Sequence, residues 1–499
     1  MLLSNGQRIS LNSALRSDRN FLHRLKTSDV VRELQESLWS SRATLESICA
    51  YHLGLDPSRC AVGDRSTWMR GQFNICVPIT ATRLDGTCSR VVFRCPIPHK
   101  VGSQQNGGEE KVRAEAANYA YVQEECPEIP IAALIGFGFR ELHFTHQDYL
   151  GILSRTLHCI KRLMFWIRAR KAPSHYAPRQ GLRFALSTPY LLLDFIEPSR
   201  GRMLSDYGLP LLDHDKRREN LYRSLSRLFL SLARRQQRSI GALRFDDTGF
   251  IRLVGPPLLC SHVILENETG VQGLSRIYTT MERFIYDLMA FRDRAFRAQP
   301  NAAHDEDDCR LQMAHSVLAR AVTPQIIDCN APFALQLTDL HASNIFVDET
   351  WNITGVIDLE FMCSLPTVML SVPYWLAGKY LDGIDAEKHA IVHADFMKIF
   401  QSEATASEQG ALSRAIQESW ESGAYWLYHA ITSIDTLPFA VEDRLWPLFG
   451  FHPSMEEAET FSNWLSHFWS RDSCSFVAQK VADKERYSRE LRQHFDDVK

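Results

Sequence analysis

The sequence predicts an α+β fold in which a β-rich amino-terminal part precedes a mainly helical carboxy-terminal part. Two short apolar runs, Phe73 to Ile79 and Val91 to Cys95, flank Asp85-Gly86, a dipeptide that favours a hairpin turn. A helix is predicted from about Glu109 to Gln123, because acidic residues in its first turn suit the helix dipole. Beyond Pro198 the apolar residues recur mainly at helical spacing.

The order of these elements divides the 499 residues into three parts. Residues 1–60 are expected to form a helical amino-terminal extension. Residues 61–197 form a smaller lobe, in which the strand, strand, helix pattern continues into two further buried strands, PEIPIAALIGFG and TPYLLLDFIEP. Residues 198–499 form a larger helical lobe, with one helix from about Asp213 to Gln237 and a final charged helix from about Phe476 to Phe495.

A basic helical insertion interrupts the smaller lobe at about residues 149–187. Between Tyr149 and Leu193 there is no Asp or Glu, against eight Lys and Arg residues. Its first half is amphipathic, and two interpretations remain open. The segment is either an ordinary helix packed on the lobe, which we favour, or a contact surface at 149–193 for an acidic protein partner or a membrane.

The composition excludes several classes of protein. A formal net charge of −3 argues against a dedicated nucleic-acid binder, which needs a basic surface. The sequence contains no run of eighteen apolar residues, so no membrane-spanning helix is predicted. The amino terminus does not resemble a signal peptide. The twelve cysteines show no CxxC spacing, so we expect reduced thiols and a cytoplasmic protein.

The most informative segment is LTDLHASNIFVDETWNITGVIDLE, residues 337–360. Apolar runs at 345–347 and 353–357 flank a polar turn, which predicts a β-hairpin. Asn344 enters the first strand and Asp358 leaves the second. Their side chains are therefore expected at the same open end of the hairpin, within reach of one ion.

Asp339 lies five residues before Asn344, in the loop that leads into the hairpin. Carboxylate and carboxamide oxygens are the ligands that magnesium takes alongside substrate phosphates. Phosphoryl transfer needs mainly a held metal, oriented phosphates and an aligned hydroxyl. We therefore predict that Asn344 and Asp358 bind Mg²⁺ and that the catalytic Asp339 accepts or orients the proton of the attacking group.

The same segment resembles the catalytic loop and metal-binding hairpin of the aminoglycoside phosphotransferase and choline kinase-like family. That family carries a pattern close to H-G-D-L-H-x-x-N-I-L-V-D followed by I-D-W-E, and this variant is similar to fungal members of unknown substrate. The resemblance covers roughly residues 65–450. It implies a two-lobed protein kinase-like fold with ATP and Mg²⁺ as cofactors.

The resemblance also implies a set of nucleotide-binding residues in the smaller lobe. The phosphate-covering turn comprises Gly71, Phe73 and Asn74. Arg94 stands where kinases have a strand lysine, and Glu115 is its partner. The hinge for adenine comprises Asp194, Phe195 and Ile196. The sequence departs from the family pattern at three positions. Leu337 and Thr338 replace the usual His-Gly, and Arg94 is larger and more planar than lysine.

Three functions are compatible with these motifs. The favoured one is an ATP-dependent phosphotransferase that acts on a hydroxyl or amine of a small molecule. The alternative is a pseudokinase that regulates a partner without turnover. A protein kinase is disfavoured because Asp358-Leu359-Glu360 runs almost directly into Ser364-Leu365-Pro366, with no room for an activation segment.

The acceptor site is expected among the carboxy-terminal helices. Aromatic residues there lie near two glutamates and either line a pocket for a cationic ligand or, as we favour, form ordinary core: Tyr374, Trp375, Trp420, Tyr425 and Trp426, with Glu418 and Glu421.

Overall fold

The computed structural model of the chain describes residues 8–17, 19–101, 108–139, 142–168, 171–179, 184, 186, 188–208, 215–326, 331–378, 385–434 and 437–496. Within these ranges the strands lie between Cys60 and Pro366 and only helical elements follow, so the class is α+β, as predicted.

The strands form one large sheet and three small ones in the described residues. In chain order they are β1 (Cys60–Val62), β2 (Met69–Arg70), β3 (Asn74–Thr82), β4 (Cys88–Pro96), β5 (Leu134–Phe139), β6 (Leu142–His146), β7 (Tyr176–Arg179), β8 (Tyr190–Asp194), β9 (Arg202–Met203), β10 (Ala242–Phe245), β11 (Ile251–Gly255), β12 (Phe333–Leu337), β13 (Ile345–Val347), β14 (Ile353–Val356) and β15 (Met362–Pro366).

The large sheet is antiparallel and has the order β1-β3-β4-β8-β5-β6-β7, with β2 beside β3. The predicted hairpin is confirmed, because β3 and β4 pair from Asn74 opposite Pro96 to Thr82 opposite Cys88. Gly86 has φ +83° in the turn, a conformation that glycine adopts without steric cost. Strands β6 and β7, which extend the sheet at one edge, were not predicted.

The helices in the described residues are, in chain order, α1 (Leu11–Leu15), α2 (Phe21–Lys26), α3 (Ser28–Ser40), α4 (Arg42–Leu53), α5 (Gly108–Glu125), α6 (Ile152–Ile167), α7 (Asp215–Ala233), α8 (Cys260–Thr269), α9 (Met281–Ala298), α10 (Glu306–Ile326), α11 (Ala386–Ala406), α12 (Gly410–Glu421), α13 (Ala424–Thr432), α14 (Leu437–Phe439), α15 (Trp446–Leu448), α16 (Met455–Ser466) and α17 (Ser473–Asp496).

Most of the predicted helices are confirmed with small changes of boundary. Helix α5 covers the predicted 109–123 and α17 covers the predicted final helix. Helix α7 ends at Ala233 rather than near Gln237. The Gln237 N–H donates instead to the Phe333 carbonyl at 2.7 Å, which makes an isolated bridge at the start of β12.

Apolar side chains pack against both faces of the large sheet. On one face, Leu38 of α3 and Ile48 of α4 join Ile75 and Phe93 in a buried cluster. On the other face, residues of α5 and α7 share a larger cluster with the strands β13 and β14. A separate cluster holds α9, α10 and α13 together. The large sheet is thus connected through α5 to the segment that carries the predicted catalytic motif.

The favoured interpretation of the basic insertion is wrong. The segment does form a helix, α6, but His158 is its only buried side chain. Eight large apolar side chains on α6 are exposed, including Ile152 at 87 % and Trp166 at 74 %. An ordinary packed helix buries its apolar stripe, so α6 lies on the surface with that stripe outward. The insertion's residues 169–170, 180–183, 185 and 187 lie outside the described residues.

No helix in the described ranges is long and apolar enough to cross a membrane. The described cysteines are free thiols.

A buried polar network joins α4 to the large sheet. The His52 ring contacts Thr145 Oγ1 through Nδ1 and Tyr190 OH through Nε2, both at 2.8 Å. The Tyr190 hydroxyl also contacts His143 Nδ1 at 2.8 Å. Burial, with smaller effects from His143 and Arg179, lowers the pKa of His52 well below its ordinary value. His52 is therefore neutral in the folded protein.

We expect acid to destabilise the fold through this histidine. Below about pH 6.5 the unfolded chain binds a proton at His52 that the folded protein does not. The contribution of one such histidine to the free energy of unfolding is therefore fully present above that pH. It is lost as the pH falls, by about 2 kcal/mol at pH 5. Buried His262 and His389, with pKa values lowered to about 3 by burial, act in the same direction.

Urea unfolding at pH 7 and pH 5 measures this loss. In His52→Gln the difference between the two pH values should shrink by about 2 kcal/mol, although the variant is less stable at pH 7. The exposed His452 provides the matched control, His452→Gln, which should keep the full difference. An unchanged difference in His52→Gln would contradict the assignment.

Candidate active site

The predicted hairpin of the catalytic motif is confirmed. Strands β13 and β14 pair antiparallel with Ile345 opposite Val356. The Ile357 N–H donates to the Asn344 carbonyl at 3.0 Å, so the chain after β14 returns beside the start of β13. Asp358 follows with φ 65° and ψ 55°, a left-handed conformation that is uncommon for a residue other than glycine. The hairpin therefore brings Asp358 back to Asn344.

Three hydrogen bonds hold the predicted catalytic loop. Thr338 donates to the Phe361 carbonyl from its backbone N–H at 3.1 Å and from Oγ1 at 2.8 Å. Asn344 Nδ2 donates to the Asp339 carbonyl at 3.0 Å. Thr338, which departs from the family pattern, thus fastens the loop to the segment after the hairpin. The structure brings Asp339, Asn344 and Asp358 together around one loop.

Arg94 lies between two of the predicted residues. Its Nε is 2.9 Å from Glu115 Oε1, and its guanidinium also contacts the Asp358 carboxylate. Arg94 and Glu115 are 7 % and 1 % exposed, so this is a buried ion pair. The pairing of Arg94 with Glu115 is as predicted, while its contact with the proposed metal ligand Asp358 was not predicted.

Two charged members of the site, Lys111 and Glu360, were not predicted. Lys111 Nζ is 2.6 Å from Glu360 Oε2, and both side chains are buried. Asn74 Nδ2 donates to both Glu360 carboxylate oxygens at 3.2 Å. Glu360 therefore connects α5 and the start of β3 to the catalytic motif.

Helix α5 carries a sequence signal for these unpredicted members of the site. Lys111, Glu115, Asn118 and Tyr119 recur at helical spacing and so share one face. Asn118 Nδ2 donates to the Leu359 carbonyl at 2.7 Å, and the Tyr119 hydroxyl accepts from the Asp358 N–H at 3.2 Å. A polar stripe on a helix that is otherwise buried predicts a polar site beneath it.

The site contains more negative than positive charge. Two cations, Arg94 and Lys111, face the carboxyl groups of Glu115, Asp358 and Glu360, with Asp339 beside them. Burial, with repulsion from Asp358 and Glu360, raises the pKa of Asp339 to about 7, although the Cys260 thiol donates to its carboxylate. An excess of buried carboxyl groups is the electrostatic setting that an added cation relieves.

The donor set fits a magnesium ion that shares its ligands with a nucleotide. The amide nitrogen of Asn344 donates to the Asp339 carbonyl, so its amide oxygen is the atom that can bind a cation. Asp358 contributes a carboxylate. No cluster of three or more His, Cys, Asp or Glu ligands exists in the described residues. Mg²⁺ fits such a sparse set because it keeps waters and phosphate oxygens as further ligands.

The predicted phosphate-covering turn is tied to the same motif. Phe73 is buried and packs edge-on against Phe361, with ring centroids 5.0 Å apart. The Gly71 N–H donates to the Asn74 carbonyl at 3.0 Å. An added Cβ at Gly71 would meet only that carbonyl, at 3.8 Å, so the space at this glycine is open.

The predicted hinge begins at Asp194, the last residue of β8. The Asp194 N–H donates to the Ala133 carbonyl and the Phe195 N–H to the Arg90 carbonyl, at 2.8 and 3.2 Å. Ile196 is buried and lies against Gly355 of β14. The two backbone donors at the start of the hinge are therefore engaged within the protein.

A cavity of about 480 Å³ opens beside the catalytic loop. Asp339 lies in its wall together with Thr338 and Cys260. The volume is within the range of small-molecule sites. A carboxyl group with a pKa near neutrality therefore borders a space large enough for a metabolite.

Residues 150–368 match the model of the phosphotransferase enzyme family. The match confirms the resemblance that the motif predicted, and it supports phosphotransferase activity. The matched residues contain Asp339, Asn344 and Asp358, whereas Arg94 and Glu115 lie before them. The family implies a protein kinase-like fold, in agreement with the α+β class of the chain. No curated protein matches the chain.

Proposed function

We propose that this protein is an ATP- and Mg²⁺-dependent phosphotransferase that transfers the γ-phosphoryl group to a hydroxyl or amine of a small molecule. The observation that supports it most is the position of Asp339, which borders a cavity on one side and the Asn344–Asp358 hairpin on the other. The chain is then two-lobed, with the nucleotide between the large sheet and the helical part.

Asp339 acts as the general base for the acceptor. The hydroxyl oxygen forms a bond to the γ-phosphorus, while the bond from that phosphorus to the bridging oxygen breaks and its electron pair leaves with ADP. The hydroxyl proton passes to the Asp339 carboxylate. A pKa of about 7 suits this role, because a base works best when its pKa lies near the working pH.

The remaining residues bind and orient the nucleotide. Asn344 and Asp358 hold Mg²⁺, which neutralises phosphate charge when it is bound. Arg94, fixed by Glu115, donates to phosphate oxygens, and the planar guanidinium suits bidentate contacts. The turn at Gly71, Phe73 and Asn74 covers the phosphates. The hinge carbonyls of Asp194 and Phe195, with Ile196, contact adenine.

Asp358→Asn is expected to remove most of the magnesium dependence of nucleotide binding. The variant keeps the shape of the side chain but loses the charge that attracts the ion. The affinity for ATP in the presence of Mg²⁺ should fall by about 10-fold or more, while the weak affinity in EDTA changes little. Isothermal titration with and without Mg²⁺ measures both values.

Asp307→Asn is the control for this variant, because Asp307 is an exposed aspartate in the first turn of α10. It should bind Mg²⁺ and ATP like the parent protein. An Asp358→Asn protein with unchanged magnesium dependence would contradict the metal role.

A pseudokinase is the second candidate, favoured by one observation. The Arg94 guanidinium contacts the Asp358 carboxylate, and this contact competes with a metal ion for the same oxygens. The two functions are separated by measuring release of ADP with Mg²⁺ and ATP across a panel of hydroxyl compounds. Binding of Mg²⁺ and ATP without turnover on any compound would favour the pseudokinase.

A further inference from the structure

The cavity beside Asp339 has almost no charge in its wall. Among its described lining residues Asp339 is the only Asp, Glu, Lys or Arg. The rest of the wall is mainly aromatic and aliphatic, with a group of rings that includes Tyr374, Trp375, Tyr425 and Tyr428. Of the five aromatic residues for which ordinary core was the favoured interpretation, Tyr374, Trp375 and Tyr425 line the cavity, whereas Trp420 and Trp426 do not.

The glutamates that would suit a cationic acceptor lie elsewhere. Glu418 and Glu421 are exposed on α12, and Glu421 accepts from Gln417 at 2.7 Å. Trp420 stacks on His393 with ring centroids 4.0 Å apart, and Trp426 packs against Phe439. None of these residues lines the cavity.

Apart from Asp339, the polar groups in the described wall are neutral. His429 contacts Ser371 Oγ through Nε2 at 3.2 Å, and burial lowers the pKa of His429 to about 4, so its ring carries no charge at pH 7. Trp375 Nε1 donates to the Leu340 carbonyl at 2.7 Å, which fixes the indole against the catalytic loop. The wall therefore offers ring surfaces and neutral hydrogen-bonding groups.

We propose that the acceptor is an uncharged alcohol or phenol with a ring-shaped apolar body, and not a polyamine or amino sugar. This inference rests on the proposed phosphotransferase function. A buried primary ammonium group, as in a polyamine or an amino sugar, needs a carboxylate partner, and the one that the described wall supplies is Asp339, the proposed base itself. A neutral ring instead gains from burial against aromatic faces and places its hydroxyl at Asp339.

The test is a comparison of three acceptor classes at equal concentration, with ADP release as the readout. The neutral class contains 2-phenylethanol, cyclohexanol and 2-naphthol, the second class is choline, and the third is the amino sugar kanamycin. We expect turnover with a neutral compound at kcat/KM at least about 10-fold above that for either cation. Preferred phosphorylation of choline or kanamycin would overturn the acceptor inference and leave the phosphotransferase function intact.

Two variants sharpen this comparison. Ser371→Asp places a second carboxylate in the wall and should lower kcat/KM for the neutral acceptor while raising it for choline, whereas Ser402→Asp, at an exposed residue of α11 outside the cavity, should do neither. Turnover with none of the compounds, despite binding of Mg²⁺ and ATP, would overturn the phosphotransferase function itself, and the acceptor inference with it.

The outward face of α6 carries a second, independent inference. Its exposed large apolar side chains cover about half of the helix circumference: Ile152, Leu153, Leu157, Ile160, Leu163, Met164, Trp166 and Ile167. The opposite face contacts the protein. His158 Nε2 lies 3.0 Å from the Ser174 carbonyl, and Phe165 packs on Phe250 at 5.3 Å between centroids.

The charges around this apolar face are basic. Arg155, Lys161 and Arg168 lie on α6 or at its end, and no acidic residue occurs between positions 149 and 193. Asp148, just before the helix, pairs with Arg155 at 3.2 Å. An apolar face with tryptophan and basic edges is typical of a helix that lies in the interface of an anionic membrane.

We infer that α6 docks the protein on an anionic lipid bilayer with its apolar face in the headgroup region. A bilayer fits better than a protein partner, because the apolar face is broad and the charged residues of α6 itself are all basic. The apolar side chains supply affinity by burial, and the basic residues supply selectivity for anionic lipid.

Sedimentation of the full chain with vesicles tests this docking. Binding is expected to vesicles of phosphatidylcholine with 30 % phosphatidylglycerol, and to be at least about 10-fold weaker to phosphatidylcholine alone or at high salt. The double variant Leu163→Glu/Trp166→Glu should lose binding. Met455→Glu, at an exposed apolar residue of α16, should retain it.

Absence of binding to the anionic vesicles would overturn the membrane inference. So would a dimer that the same double variant dissociates in size-exclusion chromatography, because α6 would then contact a second copy of the chain. Binding that the double variant retains would show that another surface is responsible and would also overturn it.

Discussion

Replacing Asp339 by Asn is expected to lower kcat by about 10²- to 10⁴-fold, the usual contribution of a general base. The amide has nearly the same shape but does not accept the hydroxyl proton. The affinity for ATP in the presence of Mg²⁺ should stay within a few-fold of that of the parent protein. Asp339 borders the acceptor cavity and is not one of the proposed metal ligands, Asn344 and Asp358. ADP release and titration calorimetry measure the two quantities.

The electrostatic position of Asp339 makes this separation informative. Its carboxyl group already carries an elevated pKa, through burial and through Asp358 and Glu360, so a neutral side chain should not destabilise the fold. Asp307→Asn, on the exposed first turn of α10, is again the control and should retain full activity. If Asp339→Asn retains more than about a tenth of kcat, a general base at this position is excluded.

Replacing Arg94 by Met is expected to have the largest effect on stability. Arg94 is the cation between the buried carboxyl groups of Glu115 and Asp358. Burial disfavours its charge, yet Asp358, Glu115 and Glu360 together raise the pKa of the guanidinium well above its ordinary value. Removing one partner from such a cluster leaves buried charge uncompensated and costs about 3–5 kcal/mol.

Arg90 offers a matched comparison on the same strand, β4. It pairs with Glu197 and covers the Phe195 ring at 4.0 Å, but it does so at the surface. Arg90→Met should cost about 1 kcal/mol or less, as exposed ion pairs do. Urea unfolding of both variants measures the difference. Equal losses would show that the Arg94 cluster contributes no more than a surface pair.

The catalytic hairpin was predictable because its information is local. Two short apolar runs, residues 345–347 and 353–356, flank a polar turn, and a hairpin returns its second strand to its first. The relation between Asn344 and Asp358 follows from this closure alone. For the same reason the β3–β4 hairpin and helix α5 were predicted close to their observed bounds.

The charge pairing within the site was only partly predictable. Lys111 lies 249 positions before Glu360, and no local pattern connects them. The stripe of Lys111, Glu115 and Asn118 on α5 indicated a polar face, but not the partner of each residue. The contact of Arg94 with Asp358 also depends on how the large sheet packs against the hairpin. This contact is the one that favours the pseudokinase alternative.

The sequence by itself determined the α+β class, the hairpin and the presence of an Asp, Asn and Asp trio, because strand alternation, helix periodicity and turn chemistry act over a few residues. Tertiary structure alone decided three further features. Glu360 forms an ion pair with Lys111, Glu418 and Glu421 lie outside the cavity wall, and the apolar face of α6 is exposed. Periodicity shows that a helix has an apolar face, but only the packing of the whole chain decides whether that face is covered.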